Sequence, residues 1–146
     1  MRAVLQVASR ASVEVEGVVV GKIDGPGLVV LLGVTHTDTP ALAAKLAAKV
    51  WRLRMLTGEK SCEDLDAPLL VISQFTLYGD VRKGRRPGWS GAAPGAVSEP
   101  LYEQFMAELR ALGARVESGQ FGAMMDVSLV NSGPYTLIVD TDDLPS

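Results

Sequence analysis

The stretch Leu69-Leu70-Val71-Ile72-Ser73-Gln74-Phe75-Thr76-Leu77-Tyr78-Gly79-Asp80-Val81-Arg82-Lys83-Gly84-Arg85-Arg86 changes character twice: an apolar run gives way to a polar and aromatic segment, then to a basic one containing glycine. A short apolar run bounded by turn residues reads as a buried strand. Where such a strand opens into a loop, polar side chains and free backbone N–H groups can meet a ligand. Ser73 to Thr76 is therefore the candidate floor of a site. Arg82, Lys83, Arg85 and Arg86 are a candidate guide for something anionic beside it. Thr76 is read either as a nucleophile or as an orienting group. The plainer reading of Ser73 and Thr76 is two strand residues with satisfied hydroxyls.

Working outward, Met1 to Gly17 alternates and is rich in β-branched residues, and Val18-Val19-Val20 resumes after the turn signal Glu16-Gly17, which predicts a β-hairpin. Leu28 to Val34 is apolar enough for a strand buried on both faces. Thr39-Pro40 starts a helix with Leu42, Leu46, Val50 and Leu53 on its apolar side. Gly58 to Pro68 reads as a polar connection, and the stretch through Pro87-Gly88-Trp89-Ser90 and Ala92-Ala93-Pro94-Gly95 as a long loop of the functional or mobile kind. Within that loop Trp89 serves either to stack on a base or to pin the loop to the body. Ser98 is expected to cap a second helix whose buried face is Leu101, Phe105, Leu109 and Leu112. Short strands follow, at Ala114 to Glu117, Val127 to Val130 and Tyr135 to Asp140, the last two separated by a tight turn at Asn131-Ser132-Gly133-Pro134. The expected fold class is α/β (α+β): one domain over residues 1–146, a β-sheet layered with two main helices.

Composition narrows the function. The chain of 146 residues is 47% hydrophobic and 21% charged, ordinary values for a globular domain. It contains no run of the ~18 apolar residues that spans a bilayer, and its first residues lack the arrangement of a signal peptide, so the expectation is a cytoplasmic protein with no membrane partner. Formal charge is −3, yet Arg82, Lys83, Arg85 and Arg86 carry +4, leaving −7 for the rest. A concentrated patch on an acidic body suits an anionic partner touched at one place; a merely solvated loop is the alternative. The single cysteine, Cys62, excludes an intrachain disulfide and is read as lying in an exposed polar loop with no base to activate it. One histidine, His36, and one cysteine give no zinc spacing, and no Walker or Gly-x-Ser-x-Gly motif occurs. No metal or cofactor is expected. Chemistry here falls to positioning and backbone hydrogen bonds. Gly133-Pro134 is the second candidate, because glycine permits close backbone approach and an X-Pro bond in a turn is a natural place for a cis peptide; a plain hairpin turn is the alternative.

Taken together and in order, several motifs resemble the D-aminoacyl-tRNA deacylase family. They are Arg10-Ala11-Ser12-Val13, Leu31-Leu32-Gly33-Val34, Ser73-Gln74-Phe75-Thr76-Leu77, Lys83-Gly84-x-Arg86-Pro87, Phe121-Gly122-Ala123-x-Met125 and Asn131-x-Gly133-Pro134-x-Thr136. The resemblance covers essentially the whole chain. It implies a homodimeric, metal-independent hydrolase, its site at the subunit interface, cleaving the ester between tRNA and a D-amino acid or glycine. It places Gln74, Phe75 and Thr76 at the catalytic centre and Ser73, Met125, Asn131, Gly133 and Pro134 against the substrate. The carbonyls of a Gly–cis-Pro motif reaching in from the other subunit would grip the α-amino group and exclude an L side chain. The tRNA 2′-hydroxyl would help activate water, and Arg82, Lys83, Arg85 and Arg86 would meet the tRNA. A non-catalytic binder of tRNA ends with the same fold is the alternative. The chain departs from the family pattern in four places: Val7 stands where the family usually has an arginine thought to help lock the Gly–cis-Pro geometry, the Gly58 to Pro68 connection is short and lacks a Gly-Lys-Met-Asn pattern, Pro87-Gly88-Trp89 replaces Pro-Ser-aromatic, and Tyr135 stands where valine is usual.

Overall fold

The computed structural model describes residues 1–146. The β-branched opening forms β1 (Arg2–Val15), which turns back into β2 (Val18–Ile23). Glu16 and Gly17 both adopt positive φ, 51° and 77°, as the expected tight hairpin requires. β3 (Gly27–Gly33) lies antiparallel to the first half of β1, so β1 shares one edge between two partners. α1 (Pro40–Arg52) begins as expected, with the Thr39 hydroxyl accepting the Leu42 N–H at 3.2 Å and proline in the first turn. It buries Ala43, Leu46, Ala47, Val50 and Trp51 rather than the Leu42 and Leu53 flanks.

The polar connection that follows is not featureless. Ser61 caps a single-turn helix, α2 (Cys62–Leu65), in a reciprocal capping box with Asp64. Cys62 is fully buried in the main core, not exposed in a loop. The capping box fixes the helix start, and the first helical residue turns inward. β4 (Leu69–Ser73) then pairs parallel to β3, from Leu28 opposite Leu69 to Leu32 opposite Ser73.

α3 (Gly95–Ala111) starts earlier than expected, capped by Pro94 rather than Ser98, whose hydroxyl donates back to the Pro94 carbonyl at 3.2 Å. Pro100 consequently lies inside the helix. Leu101, Tyr102, Phe105, Met106 and Leu109 are buried, and Gly113 follows the helix at φ 105°. β5 (Val116–Ser118) adds parallel to β4, giving a mixed sheet in the order β2-β1-β3-β4-β5, with β6 (Asp126–Asp140) on the free edge of β1.

Period-two alternation divides the core. Leu28, Val30, Leu32, Leu69 and Val71 face the helices, while Val29, Leu70 and Ile72 face a second cluster with Ala8, Ala11, Val13 and Ile23. The sheet thus curls over its own far face. Gly21 permits the closure, because a Cβ there would meet the Ser118 carbonyl oxygen at 2.3 Å.

The expected turn at Asn131-Ser132-Gly133-Pro134 is instead a bulge within one continuous strand. Asn131 pairs with Ala8 and Thr136 with Gln6, so residues 132–135 stand opposite Val7 alone. The Gly133–Pro134 bond in this bulge is cis.

Burial pushes the Cys62 thiol up to about 12 by stripping solvent from the thiolate. At pH 8 the folded protein is expected to resist iodoacetamide, with alkylation appearing only above the urea unfolding transition. Rapid native-state labelling, read by intact mass, would contradict this burial.

Candidate active site

Two buried strands that end together create the site. β3 leads into the loop before α1, and β4 leads into a 3₁₀ turn, Phe75–Tyr78. The polar half of the motif is this turn, not an extension of the strand. The Gln74 N–H donates to the Leu32 carbonyl at 2.8 Å, tying the turn to β3. The first N–H groups of a helical turn have no partner within it. Those of Phe75 and Thr76 reach no other main-chain oxygen either, so two donors stand at the strand end. The Gln74 side-chain amide donates to the Thr76 hydroxyl. Behind the turn, Arg2 donates to the Leu77 carbonyl at 2.9 Å, pairs with Asp140 at 2.9 Å and lies 4.7 Å from the centre of the Tyr78 ring.

In front of the turn lies a cavity of about 650 Å³, lined by Ser73, Gln74, Phe75 and Thr76 and closed by apolar groups, among them Trp89, Tyr102, Phe121 and Met125. A cleft of about 900 Å³ at the far end of β4 is larger; it is lined by the ends of β2 and β5 and the loop and helix ends beside them, with charges of both signs and none of the candidate residues. Trp89 meets Phe75 edge-on with ring centroids 5.5 Å apart. It fits because Gly79 leaves space: a Cβ there would lie 2.8 Å from the indole. Trp89 therefore pins its loop to the turn and also walls the cavity. Tyr102, which the sequence reading assigned no role, projects from α3 and donates its hydroxyl to the Val71 carbonyl at 2.7 Å. It occurs one residue beyond the Leu101 stripe position, and a phenol among apolar helix neighbours was its only signal.

The candidate residues do not all converge. Ser73, Gln74, Phe75, Thr76 and Met125 line the cavity. Gly133, Pro134 and Asn131 do not; they sit on the exposed bulge of β6. The Asn131 amide donates to the Val7 carbonyl at 2.9 Å and the Tyr135 carbonyl at 3.3 Å, drawing the base of the bulge closed. The side chain of Val7 points into the core. His36 is held on the Ser90 carbonyl at 2.7 Å and does not line the cavity.

The basic segment is a closed excursion. Asp80 and Gly88 exchange backbone hydrogen bonds of 2.8 Å each, and the residues between them loop into solvent. Arg82 is not free: its guanidinium forks onto Asp80 at 2.8 and 2.9 Å and holds that carboxyl down to about 2. Lys83, Arg85 and Arg86 form no ion pair and carry the exposed positive charge of the loop.

Along β6 large apolar side chains are exposed beside the polar Ser128, Asn131 and Thr136. Val127, Val130, Tyr135, Leu137 and Ile138 are exposed, Ile138 at 71%. The strand pairs only with β1, leaving its other edge open.

The sequence of residues 4–140 matches the family described as D-Tyr-tRNA(Tyr) deacylase. The D-aminoacyl-tRNA deacylase of Thermobifida fusca (strain YX) is 66% identical over 140 residues, covering 96% of this chain and 99% of the relative. That of Micrococcus luteus is 67% identical over 144 residues, covering 99% and 96%. Among solved structures, a c-Myc DNA Unwinding Element Binding Protein superposes with TM-score 0.89 at 35% identity over the full length of both chains. A probable eukaryotic D-amino acid tRNA deacylase shares the fold at TM-score 0.83 and 20% identity, covering 94% of this chain.

Tyr102→Phe deletes one hydrogen bond without changing shape. The Val71 carbonyl keeps a second donor, the Gly119 N–H at 3.3 Å, so urea unfolding is expected to register a loss of about 1 kcal/mol. A loss above about 3 kcal/mol would mean that the carbonyl had been left orphaned.

Proposed function

The chain belongs to the D-Tyr-tRNA(Tyr) deacylase family and is a hydrolase of the D-aminoacyl-tRNA ester bond; we propose that it works as a homodimer whose two sites are each completed by Gly133 and Pro134 of the other copy. The observation that carries this reading is a separation. On one chain, the cavity is lined by Ser73, Gln74, Phe75 and Thr76 but not by Gly133 or Pro134, whose bulge lies outside it on an exposed strand with an open edge. A long edge strand with exposed apolar side chains is a surface that pairs.

In the proposed reaction the 3′-terminal adenosine lies against Ser73, Phe75 and Trp89, and Met125 borders the aminoacyl group. Water adds to the ester carbonyl, and the oxyanion receives hydrogen bonds from the Phe75 and Thr76 N–H groups, with the Gln74 amide beside them. One such preorganised donor contributes about 3 kcal/mol to a transition state. The carbonyl carbon–ribose oxygen bond then breaks and the ribose oxygen takes a proton. No histidine or carboxylate lines the cavity, so activation of water falls to the neighbouring 2′-hydroxyl of the tRNA. Thr76 is an orienting group, since nothing beside it would take its proton.

Selection by handedness follows from acceptors that belong to the main chain. The partner's Gly133 and Pro134 carbonyls receive the substrate ammonium, and the space left beyond them admits hydrogen or a D side chain but not an L one. Glycyl esters pass the same filter. Lys83, Arg85 and Arg86 meet phosphates near the tRNA end.

A second reading, nucleic-acid binding without hydrolysis, is kept open by the DNA-binding name of the 35% identical structure. D-tyrosyl-tRNA persisting at stoichiometric protein would favour it.

Ile138→Arg is expected to convert the dimer to a folded monomer with activity down at least about a hundredfold, checked by sedimentation and circular dichroism. Full activity in a monomer would sink the shared site. Thr76→Ala is expected to keep D-tyrosyl-tRNA hydrolysis within about tenfold. A loss near 10⁶, the scale seen when a nucleophile is removed, would restore the threonine as the attacking group.

A further inference from the structure

The basic loop is not the chain's only concentration of positive charge. From Pro40 to Gly58, α1 and its exit carry Lys45, Lys49, Arg52 and Arg54 and no acidic residue. With +4 there and +4 between Val81 and Pro87, the remaining residues carry −11 of the formal −3. α3 provides a contrast: its charged residues are Glu99, Glu103, Glu108 and Arg110. Lys45, Lys49 and Arg52 recur at i, i+4 and i+7, within about 60° of one another around the helix and opposite the buried stripe Ala43, Leu46, Ala47 and Val50. Lys45, Lys49 and Arg54 form no ion pair, and Arg52 reaches only the exposed Glu63, at 3.6 Å. Between these side chains and Leu144, over the small floor of Ala48, runs an open groove of about 440 Å³.

A helix terminus attracts cations in its last turn, which accounts for Lys49 and Arg52. It does not account for Lys45, near mid-helix, or for Arg54, beyond the end. Nor does solvation require charge of one sign on a face, since mixed signs solvate equally well.

We propose that this ridge is a second contact for the phosphate backbone of the tRNA, on the duplex next to the 3′ end rather than on the end itself. The helix begins at the carboxyl end of β3, where the Thr35 and His36 contacts dock the loop that walls the cavity. At ~1.5 Å per residue, Lys45 lies ~8 Å and Arg52 ~18 Å along α1 from that point, well within one turn of a duplex, ~34 Å. The loop cations then meet the terminus while the ridge tracks the backbone. This division rests on the proposed function, because it takes the tRNA end to lie in the cavity.

The test compares Lys45→Gln/Lys49→Gln/Arg54→Gln with a control of equal charge change, Lys22→Gln/Lys60→Gln/Arg110→Gln. Uncharged tRNA binding is titrated against salt, and turnover is measured on D-tyrosyl-tRNA and on D-tyrosyl-adenosine. In the ridge variant, tRNA affinity at 0.1 M salt is expected to fall about tenfold or more and the log–log salt slope to drop by about 2–3. KM for D-tyrosyl-tRNA should rise, while turnover of D-tyrosyl-adenosine stays at wild-type level, which also shows that the variant is folded. A salt slope unchanged, or changed no more than in the control, would overturn the ridge. Wild-type protein inert on both esters would overturn the catalytic reading instead, while the uncharged-tRNA titration would still decide the surface.

Discussion

The parallel pairing of β3 with β4 is the constraint from which the rest follows. Both strands are buried on both faces, and parallel strands must end on the same side of the sheet. What leaves them, the loop into α1 and the 3₁₀ turn after Ser73, is therefore brought together without any long-range instruction beyond the pairing itself. Ligands of open parallel sheets collect at carboxyl ends for this reason. The Gln74 N–H bonded to the Leu32 carbonyl continues the ladder one step past β4, then the turn begins, and its opening N–H groups are left without a main-chain partner beside the cavity.

Much of this was legible in the sequence because it depends on local rules. The Glu16-Gly17 hairpin, the Thr39 cap and the apolar runs of β3 and β4 each declare themselves through turn chemistry or periodicity. What escaped the reading depends on geometry that composition does not encode. Cys62 sits among polar neighbours, yet the Ser61–Asp64 capping box aims it inward. Asn131 to Pro134 has the residues of a tight turn, and only pairing on both sides, Ala8 with Asn131 and Gln6 with Thr136, reveals a bulge in an unbroken strand. Arg82 counts as a free cation in the sequence, but Asp80 two residues earlier claims it. Tyr102 lines the cavity because α3 crosses behind β4, a tertiary fact. The resemblance of motifs identified the family; the structure shows that the Ser73 and Phe121 motifs meet at the cavity, the Lys83 motif lies in the exposed basic loop and the Asn131 motif lies on the outer strand.

The departures at Val7 and Tyr135 bear on how the bulge is held. The Val7 side chain is spent in the core, so β1 contributes to the bulge through its carbonyl, which receives the Asn131 amide. The same amide reaches the Tyr135 carbonyl, and Gln6 reaches the Thr136 hydroxyl at 3.2 Å. Every contact that closes the base is thus made to a main-chain atom or by a polar neighbour of the substituted positions.

That economy extends to the chemistry. The proposed site, built from backbone N–H groups on one strand end and backbone carbonyls on another strand, has no titrating group to tune and few side chains whose loss would abolish it. Rigidity is what the surroundings supply: the turn is braced by Arg2 behind and by the Phe75–Trp89 contact in front, and the base of the bulge by Asn131. Rigid main-chain groups also suit selection by handedness, because a carbonyl cannot rotate aside as a flexible side chain can, and a steric boundary is only as sharp as the atoms that form it. In the proposed dimer, assembling such a boundary from two chains leaves the cavity open until the halves meet, so the filter and the reaction centre arrive together.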